Sequence, residues 1–351
     1  MSLFKTELQR HASLIESSLQ HTIPCTLSEY GDDIRKHQIH LFVLQGGKRL
    51  RPALAMMMAD ELWYSSSESI SIFSCLEIFH DFILAHDDII DQDESRRGAD
   101  TLHVAMRNHF STYEIDDRNH FWHAQAIIWG DILYSIAQDT ILDSDLKSSR
   151  KVVLLKILTQ TMQHVARGWY KQFLSDYMPL SDISLEYIIE HNLINVTSSY
   201  SFLFPLQFGQ AIATGDAEIS PDLREFADNL GILFQTGDDI IGLFGDPSVT
   251  GKSADGDILQ GKKTIPMYMT YMYAPTEDKD WLNIHLWKKD LSDTDIVRIK
   301  QLVTDYGLQP TKDFLTDYAE RCRESLKKLP YSDHWKAIFS DLIEYLMGRE
   351  F

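Results

Sequence analysis

In nearly every long segment of this chain, apolar residues recur at intervals of three and four rather than two, which predicts helices throughout. In LSDTDIVRIKQLVTDYGL, Ser292 is a predicted N-cap with Asp295 three residues on. Ile296, Ile299 and Val303 share a face, and Gly307 is the predicted C-terminal cap. The run SIFSCLEIFHDFILAHDDIID predicts a second helix, with Leu76, Phe79, Ile83 and Ile90 directed inward. Polar breaks fall near residues 65–69, 113–119, 143–149, 214–221 and 274–280, and none is long or simple enough to be a domain linker. Alternating Val, Ile and Thr are scarce and no solenoid repeat is present. The pattern predicts one all-α domain of many packed helices over residues 1–351.

Composition narrows the partners. Lys and Arg number 33 against 52 Asp and Glu, a formal charge of −19, which argues against wrapping nucleic acid or resting on an anionic membrane. The three cysteines, Cys25, Cys75 and Cys322, form no CxxC pair and suit a reducing compartment, where the expectation is free buried thiols. The first twenty residues are amphipathic, without the apolar run of a signal peptide or a membrane span, so a soluble cytoplasmic protein is expected.

Against that background, HDDIIDQDESRRG places five carboxylates within the eight residues from Asp87 to Glu94. Each carboxylate raises the cost of ionising its neighbours, so the cluster calls for a positive partner. On a helix, Asp87 and Asp91 stack four residues apart, with His80 on the same stripe. Parallel carboxylates on successive turns suit Mg²⁺, a hard cation that keeps water and substrate phosphate in its shell, better than they suit a bare ion. Arg96 and Arg97 follow, with guanidinium forks fitted to phosphate oxygens. A solvated acidic helix end is the competing explanation for a DDxxD taken alone.

A related pattern recurs in FQTGDDIIGLFGDPSVTGK, where Gln235 and Asp238 are three apart and Asp239 follows. Two acidic pairs facing each other could clamp a diphosphate through several metal ions. Lys252 comes fourteen residues after Asp238, and Lys262 and Lys263 follow in GKKT. Upstream, GGKRLRPAL sets Lys48, Arg49 and Arg51 before Pro52 and an apolar helix, where cations and a helix N-terminus can converge on an anion.

Taken together, GGKRLRP, His80, HDDIID with RRG and His103, Gly130-Asp131, FQ..DD, FGDPSVTGK and GKKT resemble, in order and spacing, the trans-isoprenyl diphosphate synthases, which include farnesyl and geranylgeranyl diphosphate synthases. The resemblance implies an isoprenoid synthase bundle of ten or more helices around a deep central pocket, usually a homodimer. It implies that Asp87, Asp88 and Asp91 hold Mg²⁺ on one wall and that Asp238 and Asp239 hold a third ion opposite. Arg96, Lys252, Gln235 and Thr197, assisted by Lys262, are then expected at the allylic diphosphate. Lys48, Arg51, His80 and Arg97 are expected at isopentenyl diphosphate. Phe82, about 7.5 Å before Asp87 along the helix, and Phe79 a further turn away are the expected floor that limits product length to C15–C20, with C20 favoured. Ordinary core packing is the competing explanation for both rings.

Three positions depart from the family pattern. Val196 precedes Thr197 where a lysine is usual, the second acidic motif ends in Gly242 where many members have a third Asp, and GWYKQ follows Arg167 where Gly-Gln is expected. Lys171, within that last stretch, is a candidate to replace the lost charge. The departures feed a rival reading, a weakly active or non-catalytic partner subunit of another synthase. A class I terpene cyclase is a third reading, disfavoured because cyclases do not need GGKRLRP.

Overall fold

The structure, a computed structural model, describes residues 2–28, 35–111, 114–245, 255–286, 288 and 290–349. The first half runs α1 (Leu3–Leu27), α2 (Arg35–Leu44), α3 (Leu50–Glu61), α4 (Ile70–Ile90), α5 (Leu102–His109), α6 (Arg118–Leu142) and α7 (Ser148–Ser175). The second half runs α8 (Leu185–Tyr187), α9 (Phe204–Thr214), α10 (Pro221–Phe244), α11 (Gly256–Gln260), α12 (Ile265–Tyr273), α13 (Thr276–His285), α14 (Asp293–Leu302), α15 (Leu308–Lys328) and α16 (Asp333–Met347). Ile188–Leu203 and Val303–Gly307 are wound as π-helix. The all-α class predicted from the periodicity is the class observed.

Local chemistry starts these helices where the sequence places oxygen acceptors. Ser220 accepts the amide of Leu223 and Pro221 occupies the first turn of α10, while Ser332 accepts the amide of Trp335 at α16. The capping box of Ser292 and Asp295 is formed. Two details differ from expectation. Gly307 does not end its helix; the chain passes through the π-turn straight into α15, and a side chain there would strike Thr270 Oγ1 and the Pro266 carbonyl. Its lack of a Cβ serves close packing, not a left-handed cap. Ile90, expected inward, is 38% exposed because α4 has reached the acidic surface by then.

The chain gathers into two compact units, residues 1–156 with 205–217, and residues 157–204 with 218–351. In the first, α4 packs along α6, with Leu76, Phe79 and Leu133 buried. In the second, α10 packs against the π-helix Ile188–Leu203 and α15, and Phe226, Trp335 and Phe339 form a buried aromatic group. Cys75 and Cys322 are buried free thiols, but Cys25 is exposed, contrary to expectation, because it lies on the open side of α1. Among the described residues, no helix is long and apolar enough to cross a membrane.

Candidate active site

The two acidic clusters fall in different units. In the first unit, α4 ends at Ile90 and carries Asp87 and Asp88 in its last turn, with Asp91 as its C-cap. The chain then closes on itself: the Asp93 amide donates to Asp88 O at 2.9 Å and the Thr101 hydroxyl to Asp93 O at 2.9 Å. Between these ties, Ser95–Arg96 and Ala99–Asp100 pair antiparallel around Arg97 and Gly98, both at positive φ (53° and 76°), the twist a tight two-residue hairpin needs. The hairpin turns Arg96 back over the acidic helix end. Its Nε donates to Asp88 Oδ1 at 2.6 Å, Nη2 pairs with the same carboxylate, and the same nitrogen lies 3.4 Å from Asp87 Oδ2 and 3.6 Å from Asp93. Asp88 is fully buried and Asp87 partly open.

Arg97 reaches the basic loop instead. Its Nη1 donates to Gly46 O at 2.7 Å and Gln45 O at 3.2 Å, across Gly47. Gly47 has φ +119°, and a Cβ there would sit 2.7 Å from that nitrogen, so only glycine admits both the bend and the guanidinium. RRG and GGKR are therefore one assembly. Lys48 is exposed at its tip, and Arg51 lies in the first turn of α3. Arg49, by contrast, is buried and spent on structure: Nε donates to Glu16 and Nη1 to Glu77, both at 2.8 Å, and Nη2 to Val43 O. His80 is buried beside this station. Burial first, and then the positive charges of Arg51, Arg97, Arg96 and Arg49, hold its imidazole well below the usual range, so the ring is neutral. At the next residue, burial and then Glu77 push the Asp81 carboxyl up.

Phe79 and Phe82 stand one turn apart on α4 with ring centroids 5.7 Å apart, and Tyr134 of α6 touches both, at 5.9 and 5.1 Å. Phe82 also meets the edge of His86 at 4.8 Å. His86 in turn lies over Gly130, where a Cβ would come within 2.5 Å of its ring, and its Nε2 donates to the Ile127 carbonyl at 3.1 Å. That packing is the physical content of Gly130 in the sequence motif. His103 sits behind the hairpin, 3.3 Å from Thr101 Oγ1 and edge-on to His123.

In the second unit, Gly231 lets α10 approach the π-helix so closely that a side chain there would collide with Ser198. The approach aligns a relay: Thr197 Oγ1 donates to Gln235 Oε1 at 2.7 Å, and Gln235 Nε2 donates to Asp239 Oδ1 at 2.9 Å. Asp239 is buried. Burial first, then the charges of Asp257 and Asp238, push its carboxyl up to about 8 despite the Gln235 hydrogen bond. Asp257 owes its place to Gly242: a Cβ on that glycine would lie 3.0 Å from Asp257 Oδ2, so the carboxylate stands over the position where a third aspartate side chain would begin. Lys262 Nζ lies 3.4 Å from Asp257 Oδ1. Its neighbour Lys263 is buried and structural, donating to the Gly261 carbonyl at 2.6 Å and the Asp176 carbonyl at 3.2 Å. Asp238 is paired with Arg349 from the end of the chain. Lys252 lies outside the described residues.

Val196 packs on Gly168, where a Cβ would meet its Cγ2 at 2.6 Å, so the position usually held by lysine is a helix contact here. The Lys171 ammonium lies 5.9 Å from the ring centroid of exposed Tyr170, a placement that lends no support to a compensating role. Sequence reasoning missed Asp257 and Arg349. Asp257 was hidden because fifteen residues separate it from Gly242, and Arg349 because a single terminal arginine carries no pattern.

Among the described residues, no three His, Cys, Asp or Glu side chains converge as a complete metal site. The donor set still fits a hard divalent ion that brings its own phosphate and water ligands. Asp239 is buried, and the charges of Asp257 and Asp238 oppose its ionisation, a repulsion such a cation would relieve.

The described chain is predominantly helical, with a DDxxD helix end tied to a basic loop in one unit and a second aspartate cluster in the other. The sequence profile of the polyprenyl synthetase family matches residues 33–304, and the chain belongs to that family, whose members are prenyltransferases. It is 30% identical over 338 residues to the geranylfarnesyl diphosphate synthase of Aeropyrum pernix, covering 94% of this chain and 99% of that protein. It is 28% identical over 302 residues to the geranylgeranyl diphosphate synthase of Saccharolobus solfataricus, covering 86% and 85%. The structure of geranylgeranyl pyrophosphate synthase from Corynebacterium glutamicum, complexed with isoprenyl diphosphate and magnesium, superposes with a TM-score of 0.86 at 27% identity, covering 98% of this chain and 99% of that one.

Proposed function

We propose that residues 1–351 form a single prenyl synthase domain that condenses isopentenyl diphosphate with an allylic diphosphate, head to tail, to give a C15–C20 isoprenyl diphosphate, C20 favoured. One observation carries the reading: within one unit, a hairpin turns Arg96 onto the carboxylates of Asp87 and Asp88 at the end of α4 and Arg97 onto the Gln45 and Gly46 carbonyls of the loop that leads to Lys48 and Arg51. Such a surface complements a metal–diphosphate complex in both of its charges. Alignment with relatives along almost the whole chain supports the single-domain reading.

Asp87, Asp88, Asp91, Asp238 and Asp239 would hold Mg²⁺, three ions per site in this reading. When bound, the metal supplies neutralisation of the charge that develops on the departing diphosphate. Arg96, Gln235, Thr197, Lys262 and Lys252 hold the allylic diphosphate so that its carbon–oxygen bond breaks heterolytically. Lys48, Arg51, Arg97 and His80 hold isopentenyl diphosphate with its double bond toward the allylic carbon. Neutral His80 contributes a hydrogen bond rather than charge. The new carbon–carbon bond leaves a cation that loses a proton to the departing diphosphate, so no side chain serves as base. Phe82 and Phe79 limit the chain length. A homodimer in the cytoplasm completes the proposal; the three free cysteines suit that compartment.

The test is incubation of the purified protein with labelled isopentenyl diphosphate, each allylic primer and Mg²⁺. Elongated prenyl alcohols after phosphatase treatment are the expected result. Hydrocarbons would identify a cyclase, and no product a partner subunit.

A further inference from the structure

Helix α16 ends at Gly348, and the next residue turns back onto α10, where it meets two side chains one turn apart. The Arg349 guanidinium lies 5.1 Å from the centroid of Phe234, and its Nη2 pairs with Asp238 Oδ1. Its side chain is only 18% exposed, and Nη1 is buried without a hydrogen bond. A guanidinium is weakly hydrated and stacks readily on an aromatic face, so this slot suits arginine better than lysine. We infer that Arg349 is a counter-ion for Asp238, and that a divalent ion taking Asp238 displaces it and loosens residues 346–349. The inference rests on the reading that Asp238 holds an ion.

Titration of Mn²⁺ by electron paramagnetic resonance, with geranyl S-thiodiphosphate present, tests both levels separately. If the wild-type protein binds no Mn²⁺ under these conditions, the reading of the site fails. If it binds, Arg349→Met is expected to bind Mn²⁺ about two- to fivefold more tightly, the scale of a partly exposed ion pair, and Arg349→Lys to fall between. Phe234→Leu, which removes the stack and leaves the charge, is expected to shift affinity in the same direction. Hydrogen exchange should speed up at the amides of residues 346–349 when ion and analogue are added. Unchanged or weaker Mn²⁺ binding by Arg349→Met, or a tail that exchanges more slowly with the ion bound, overturns the inference.

Discussion

Arg96 neutralises Asp88: its Nε donates to Oδ1 at 2.6 Å and its Nη2 pairs with the same, fully buried carboxylate. Removing one partner of a buried pair leaves an uncompensated charge, at a cost of about 3–5 kcal/mol. Arg96→Met is therefore expected to lower the metal-free protein's unfolding free energy, measured in urea, by an amount of that order, with a matching fall in the midpoint. Mg²⁺ with the thio-analogue should recover much of the loss, because the ion supplies the missing charge. An unchanged midpoint would show that the pair does not hold Asp88 in solution.

Gly242 and Asp257 make a second relationship that can be tested by adding rather than removing charge. Gly242→Asp would start a second carboxylate 3.0 Å from Asp257 Oδ2. The expected cost is about 1 kcal/mol or more in the metal-free protein, from like charges brought together near the surface. Asp257→Asn in the same chain should reverse it, which a double-mutant cycle in urea measures. If both variants act additively, the two positions do not share one space.

Phe79 and Phe82 are both buried against Tyr134, so their packing role is plain. Truncating either is expected to cost about 3–5 kcal/mol, and product length must be read on protein shown to be folded. Phe82→Ala is expected to yield products longer than C20, and Phe79→Ala with Phe82→Ala longer still, by chromatography of the dephosphorylated alcohols. Unchanged lengths would make the rings core residues only.

His103 gives a pH dependence. Burial first, then the charges of His123 and Arg107, lower its imidazole to about 4, below its ordinary value of about 6.5. The ring is neutral when folded and charges more readily when unfolded. Its contribution is present above about 6.5 and is lost as pH falls through about 4. His103→Gln should flatten the stability profile across that window. A slope identical to wild type would remove His103 from the account of acid sensitivity.

The helical class was legible because the apolar period of α4, α10 and α14 is uninterrupted, and the site's first residues because carboxylates and arginines repeat in fixed order. Less legible were features set by contact between distant segments. Nothing in the local pattern shows that Arg49 is consumed by Glu16 and Glu77 while Lys48 beside it is exposed, or that Lys263 is buried against backbone carbonyls while Lys262 pairs with Asp257. The π-winding of Ile188–Leu203 is equally hidden, since it depends on packing against α10 at Gly231 rather than on local propensity. Gly307 looked like a helix stop because glycine serves two purposes, left-handed turns and close approach, and composition does not separate them.

Anomalous diffraction from crystals grown with Mn²⁺ and geranyl S-thiodiphosphate tests the central claim most directly. Manganese peaks are expected at the carboxylates of Asp87 and Asp91 and at Asp238. A bound diphosphate with no ion at one of the two aspartate clusters would contradict the account.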